Sequence, residues 1–166
     1  MLKDKLAQIY LELWREGWSE REPRSFVYYV SNETCPHGSL GRRRQHFFPK
    51  WDDQDHDSPT IWIERTPAPV KSHEPALEDA DLDELMALAH ELGHLDSYRN
   101  GTYVSSADRA VSPSTRMAEE VNAWAYAEAR LRALGFEMWS AFEDLRARAL
   151  ASYRDDFAAE ASTRAT

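Results

Sequence analysis

Residues 85–101, LMALAHELGHLDSYRNG, set two histidines and a glutamate inside a run of strong helix formers. Four residues apart on a helix, His90 and His94 differ by about 40° and point the same way. Two imidazoles at that spacing can grip one tetrahedral ion. Glu91 lies about 100° round from His90, poorly placed to ligate but near enough to hydrogen-bond a water on the ion. This is the division of labour in the HExxH pattern, two ligands and one general base. Leu85, Leu88, Leu92 and Leu95 gather opposite the histidines, Leu82, Met86 and Ala89 cover a flank, and Gly93 leaves room for a neighbour. A helix covered so fully holds its histidines inside the protein, facing a cleft. The competing reading is an amphipathic helix with satisfied histidines. Burying two imidazoles with a carboxylate is costly unless something binds them, and the spacing favours a metal.

A catalytic zinc site needs three protein ligands and an open position. The extended motif with a third histidine is absent: Asn100 stands at that position, and Ser97 where its glycine would be. The third ligand is therefore expected from STRMAEEVNAWAYAEARL, residues 114–131. Glu120 falls on the face of Met117, Val121, Trp124 and Leu131, which should be buried. Glu119 falls on the side of Asn122, Ala123 and Tyr126. The reading takes Glu120 as the ligand, with Glu119 as its alternative.

The rest of the chain reads as an α+β fold with an N-terminal helix, a small sheet of about three strands, the HExxH helix, a glutamate helix and a C-terminal helix. Residues 2–16 have helical apolar spacing and Gly17 is a plausible stop. SFVYYV (25–30) and TIWIE (60–64) read as strands, with a short strand at 46–48 between them. Residues 65–80 carry three prolines and read as a long excursion. Asp81 should cap the helix that runs to Arg99, with Glu84 three residues on, and Asn100-Gly101 should stop it. Ser112-Pro113 opens the next helix, which runs to about Leu134 before Gly135. A final helix is expected over 137–158, with a frayed tail. Residues 1–166 are read as one domain with its core at about 60–134 and no internal repeat.

Composition narrows the function classes. Twenty-nine acidic side chains against 20 basic give a net charge of −9, which repels nucleic acid phosphates. Arg42, Arg43 and Arg44 read as a solvated loop within that acidic balance. Cys35 is the one cysteine, so no intrachain disulfide can form. The N-terminal stretch is broken by charges and lacks the apolar run of a signal peptide or membrane span. The expectation is a cytoplasmic protein with neither nucleic acid nor membrane as partner.

The motifs resemble those of the ImmA/IrrE-type zincin metallopeptidases, small bacterial and phage proteins. In that family a hydrophobic strand precedes an AHELGH helix, and the next helix carries Glu-x-Asn/Asp-x-aromatic-Ala. The matching residues here are Ala89 to His94 and Glu120-Val121-Asn122-Ala123-Trp124-Ala125, with TIWIE as the strand. The similarity covers about 60–131. The aliphatic stretch ending in proline that often follows the second motif is replaced by EARLRALGF, and the family's fused helix-turn-helix segment has no counterpart. The resemblance implies a gluzincin-like zinc endopeptidase acting on a protein or peptide, such as a transcriptional regulator. One Zn²⁺ would sit on His90, His94 and Glu120, and Glu91 would act as general base. It further implies that TIWIE is an edge strand pairing with extended substrate.

The sequence holds other candidates for chemistry. Tyr98, Tyr103, His73 and Arg109 are open alternatives for the donor that stabilises an oxyanion. Cys35-Pro36-His37 is a weak second metal motif, and His46 and His56 fall in loops. Asp52, Asp53, Asp55 and Asp57 lack the glycine and terminal glutamate of a calcium loop. Two further functions stay open. One is a zinc-bearing interaction module, favoured if a side chain such as His73 filled the fourth coordination position. The other is a hydrolase of a small amide, favoured by a closed pocket. Nitrogen and oxygen ligands also accept manganese or iron.

Overall fold

The computed structural model describes residues 2–31, 45–49, 58–78 and 80–164. Its elements are α1 (Leu2–Gly17), β1 (Phe26–Val30), β2 (Gln45–Phe48), β3 (Thr60–Glu64), α2 (Leu82–Arg99), α3 (Pro113–Ala133) and α4 (Trp139–Arg164). No helix is long and apolar enough to cross a membrane.

The strands form one mixed sheet in the order β1-β3-β2, with β1 parallel and β2 antiparallel to β3. TIWIE is therefore the central strand, and the expectation that it forms an edge is corrected. Ile61 and Ile63 are buried, flanked across the register by Val27, Tyr29 and Phe47. A strand this apolar is most stable with neighbours on both sides, which leaves the two edges to β1 and to β2 with its polar Gln45 and His46. Alternation puts Phe26, Tyr28 and Trp62 on the other face, half-buried and stacked on one another.

The inner sheet face packs on α1 and α2. Asp81 caps α2, its side chain accepting the Glu84 amide at 2.6 Å. Glu84 does not complete a capping box. Its carboxylate is taken by Arg65 and by the Tyr10 hydroxyl, and Tyr10 also meets Tyr29 at 2.8 Å. Arg65 in turn donates to Ala76 O at 2.7 Å, and the Ala76 amide donates to the Tyr29 hydroxyl. The excursion that follows β3 is thereby pinned to β1 and the start of α2.

From Glu84 to Leu95 every residue of α2 except Ala87 is buried. Gly101 ends the helix at φ 72°, a left-handed conformation that costs glycine nothing. At the C-terminus the expected helix 137–158 and frayed tail are corrected to Trp139–Arg164. Two tertiary contacts prolong it: Arg116 stacks over the Phe157 ring at 4.5 Å and pairs with Glu160 at 2.6 Å.

Candidate metal centre

Two helices build the centre. α2 supplies His90, Glu91 and His94, and α3 supplies Glu119 and Glu120. They approach closely because Gly93 has no side chain: a Cβ there would meet the Cα and carbonyl oxygen of Ala123 at 2.6 Å. Gly93 lies between the two histidines, so the closest approach falls at the level of the site. The expected room for a neighbour is filled by Ala123 backbone.

His90 Nε2 and His94 Nε2 are 3.2 Å apart. Glu120 Oε2 lies 3.3 Å from the first and 3.5 Å from the second. A tetrahedral ion with bonds of about 2.0–2.2 Å needs ligand atoms roughly 3.3–3.6 Å apart, which this triangle nearly matches. All three side chains are buried, and they form a group that could hold a metal ion. The expected pairing of His90 and His94 with Glu120 is therefore brought together by the fold.

Four of the buried polar atoms that lack a hydrogen-bond partner among the described residues belong to the triangle or to residues beside it: Glu120 Oε2, His90 Nδ1, Trp124 Nε1 and Gln45 Oε1. Leaving one such atom unpaired costs about 1–3 kcal/mol, and sites where several gather need an explanation such as a bound ion. Glu91, Glu119 and Glu120 are all buried around the two imidazoles. Three carboxylates in so dry a space call for a cation.

Glu119, the alternative ligand, lies outside that group. It is buried, and its Oε1 accepts from His94 Nδ1 at 3.0 Å. With an ion bound, a hydrogen kept at Nδ1 would leave the Nε2 lone pair for the metal, which is how a carboxylate orients an imidazole toward a metal. The burial of this face departs from the sequence pattern in detail. Val121 is exposed, while Arg116, Glu119, Ala123 and Ala127 are buried. His90 is fixed from below by Trp124, stacked at 4.4 Å. His94 packs against Phe47 at 6.3 Å and the edge of Tyr103 at 5.8 Å.

These surroundings set the protonation states. Burial alone would lower the His94 pKa, but the Glu119 carboxylate that accepts from it and the nearby charges of Glu120 and Glu91 push it up to about 10. Without a metal, His94 holds a proton as its cation. Burial would raise Glu120, yet the two imidazoles outweigh it and hold the carboxyl well below its usual range. Burial raises the Tyr103 hydroxyl; a hydrogen bond with Ser105 opposes this, and the charges of Glu91, Glu120 and Glu119 add to the rise.

Of the four oxyanion-donor alternatives, only Tyr103 is shown against a metal-triad ring. Tyr98 packs on Phe47 and Tyr103, His73 lies beside Trp18, and Arg109 lines a separate cavity of about 700 Å³ with Arg116. His46 lines that cavity too. Cys35, His37, His56, Arg42 to Arg44 and the aspartates at 52, 53, 55 and 57 lie outside the described residues.

A cavity of about 570 Å³ opens beside His90 and Glu91. Gln45 of β2, Trp124 of α3 and Leu145, Ala149 and Tyr153 of α4 share its lining. Sequence reading missed this contribution of α4 because nothing in its spacing marks a site. Glu119 was legible only as an acidic neighbour of Glu120. Compared with known proteins, the chain matches no family model, no curated protein and no solved structure at a significant level.

Proposed function

We propose that the chain is a zinc-dependent metallopeptidase that hydrolyses peptide bonds of a protein substrate. The triangle of His90, His94 and Glu120, with ligand atoms 3.2–3.5 Å apart and Glu91 beside it, carries this reading. Those three residues would hold Zn²⁺ and Glu119 would orient His94. When bound, zinc acidifies a water and polarises the carbonyl to be attacked. Glu91 takes the proton from the attacking water and delivers it to the leaving amine. Tyr103, kept protonated by its burial, donates a hydrogen bond to the carbonyl oxygen as charge builds on it. The resemblance of AHELGH and the Glu120 segment to the ImmA/IrrE-type zincins supports the same assignment, including a transcriptional regulator as substrate.

The edge strand available for pairing with an extended substrate is β2, whose Phe47 packs on His94. A zinc-bearing interaction module is disfavoured by two observations. His73, which could have filled the fourth position, packs beside Trp18, and among the described residues only three side chains converge. A module without chemistry also has no use for the buried carboxylate of Glu91. The test is a Glu91→Gln variant. It should bind one zinc per chain and lose peptide hydrolysis. Hydrolysis equal to the parent, or a zinc-loaded parent that cleaves no peptide of a broad library, overturns the reading.

A further inference from the structure

The cavity beside Glu91 has two unlike regions. Ala87, Leu145 and Ala149, half-buried, and Trp124, buried, give it an apolar sleeve. Asp81 and Asp83 line it as exposed residues, and Glu84 and Glu91 line it as buried ones. Four carboxylates thus face Arg148 as the one basic lining residue, and Arg65 behind the wall neutralises Glu84 alone. Asp83 and Arg148 are 3.8 Å apart with both side chains mostly exposed, so that pair is weak. Asp81 is engaged as the α2 cap, and the partial positive charge of the helix start is spread over Asp81, Asp83 and Glu84. Glu91 is 7% exposed and makes no hydrogen bond or ion pair with any described residue, leaving a nearly buried carboxyl group in the lining of this space.

An apolar sleeve with an acidic rim suits a side chain that has an aliphatic stem and a cationic end. We infer that this cavity is a subsite for a lysine or arginine side chain, its stem against Ala87, Leu145 and Ala149 and its charge at the Asp81–Asp83 rim. The inference deepens the peptidase reading, since it rests on that reading for the statement that the bound side chain belongs to a substrate. The subsite adjoins His90 and Glu91, so the basic residue would lie close to the scissile bond. A neutral side chain of equal length would gain the sleeve and lose the rim. An acidic one would meet the like charges of Asp81 and Asp83 at the rim.

The test is binding without turnover. Glu91→Gln protein, zinc-loaded and metal-free, is titrated by calorimetry with alanine-based peptides that differ only in one residue: lysine, arginine, norleucine or glutamate. Lysine and arginine peptides should bind roughly three- to tenfold tighter than norleucine, with glutamate weakest, a spread that narrows in high salt. The two basic arms show which cation fits better. Asp83→Lys should erase the preference and Arg148→Glu should enlarge it; both positions are exposed, so folding is not at issue. Equal binding of all four peptides, no binding up to millimolar concentrations, or an unchanged ranking in Asp83→Lys overturns the inference. A basic preference in binding without hydrolysis by the parent would sink the peptidase reading and leave the subsite standing. Hydrolysis without that preference would do the reverse.

Discussion

Replacing Gly93 with alanine tests whether the α2–α3 contact sets the geometry of the metal triangle. The new Cβ would lie 2.6 Å from the Cα and carbonyl oxygen of Ala123, against 3.4 Å for the start of ordinary contact. Both are backbone atoms, so neither can swing aside, and the helices must separate by about 0.4–0.8 Å to bring the contact to 3.0–3.4 Å. Metal sites tolerate deviations of about 0.2 Å in ligand distance. The separation therefore pulls Glu120 out of reach of an ion held by His90 and His94. Alanine improves helix propensity by up to about 1 kcal/mol, while overpacking a tight contact costs about 1–3 kcal/mol, so a small net destabilisation is expected. Zinc affinity should fall far more than stability, by roughly a hundredfold or more, as when a ligand is lost. Competition with a chromogenic zinc chelator measures affinity, and chemical denaturation of the metal-free protein measures stability. Gly93→Ala protein that binds zinc as tightly as the parent would refute the reasoning, because the contact would then not govern the triangle.

Three further outcomes follow from the same geometry. Glu119→Gln should weaken zinc binding about ten- to a hundredfold, since it loosens the His94 ring, whereas Glu120→Gln removes a ligand and should weaken it much more; equal losses would contradict the assigned roles. The folded pKa of His94 is raised to about 10 from an ordinary 6.5, so its contribution to metal-free stability is full below pH 6.5 and lost as pH rises through 10. Zinc replaces that proton, so the rise in Tm on adding zinc should be larger at pH 8.5 than at pH 6, and an equal rise at both would contradict this. Tyr103→Phe should leave zinc affinity unchanged and lower kcat about a hundredfold or more, read by steady-state kinetics; an unchanged kcat removes Tyr103 from the reaction.

The elements most legible in the sequence are those whose residues serve local and tertiary demands at once. Asp81 caps the helix it precedes, the leucines of 85–95 are buried as their spacing requires, and His90 and His94 converge because four residues make one turn. Glu120 was legible from its place near Trp124, one turn on, which stacks beneath His90. Sheet order was not legible. Alternation identifies TIWIE as a strand but carries no information about which neighbours it has, and only the pairing with both Val27 and Phe47 makes it central. The end of α4 escaped for a related reason: Phe157 and Glu160 hold that segment through Arg116, more than forty residues earlier in the chain. Glu119 was ambiguous because adjacent glutamates on a helix differ by only about 100°, and a neighbour on α2 decides which of them touches what.

X-ray absorption at the zinc edge, on protein loaded with one equivalent of metal, tests the central claim most directly. Four light-atom ligands at about 2.0–2.1 Å are predicted, two of them with the multiple-scattering pattern of imidazole, and one imidazole should vanish in His94→Ala. A sulfur ligand, six oxygens with no imidazole scattering, or failure to retain zinc would contradict the account.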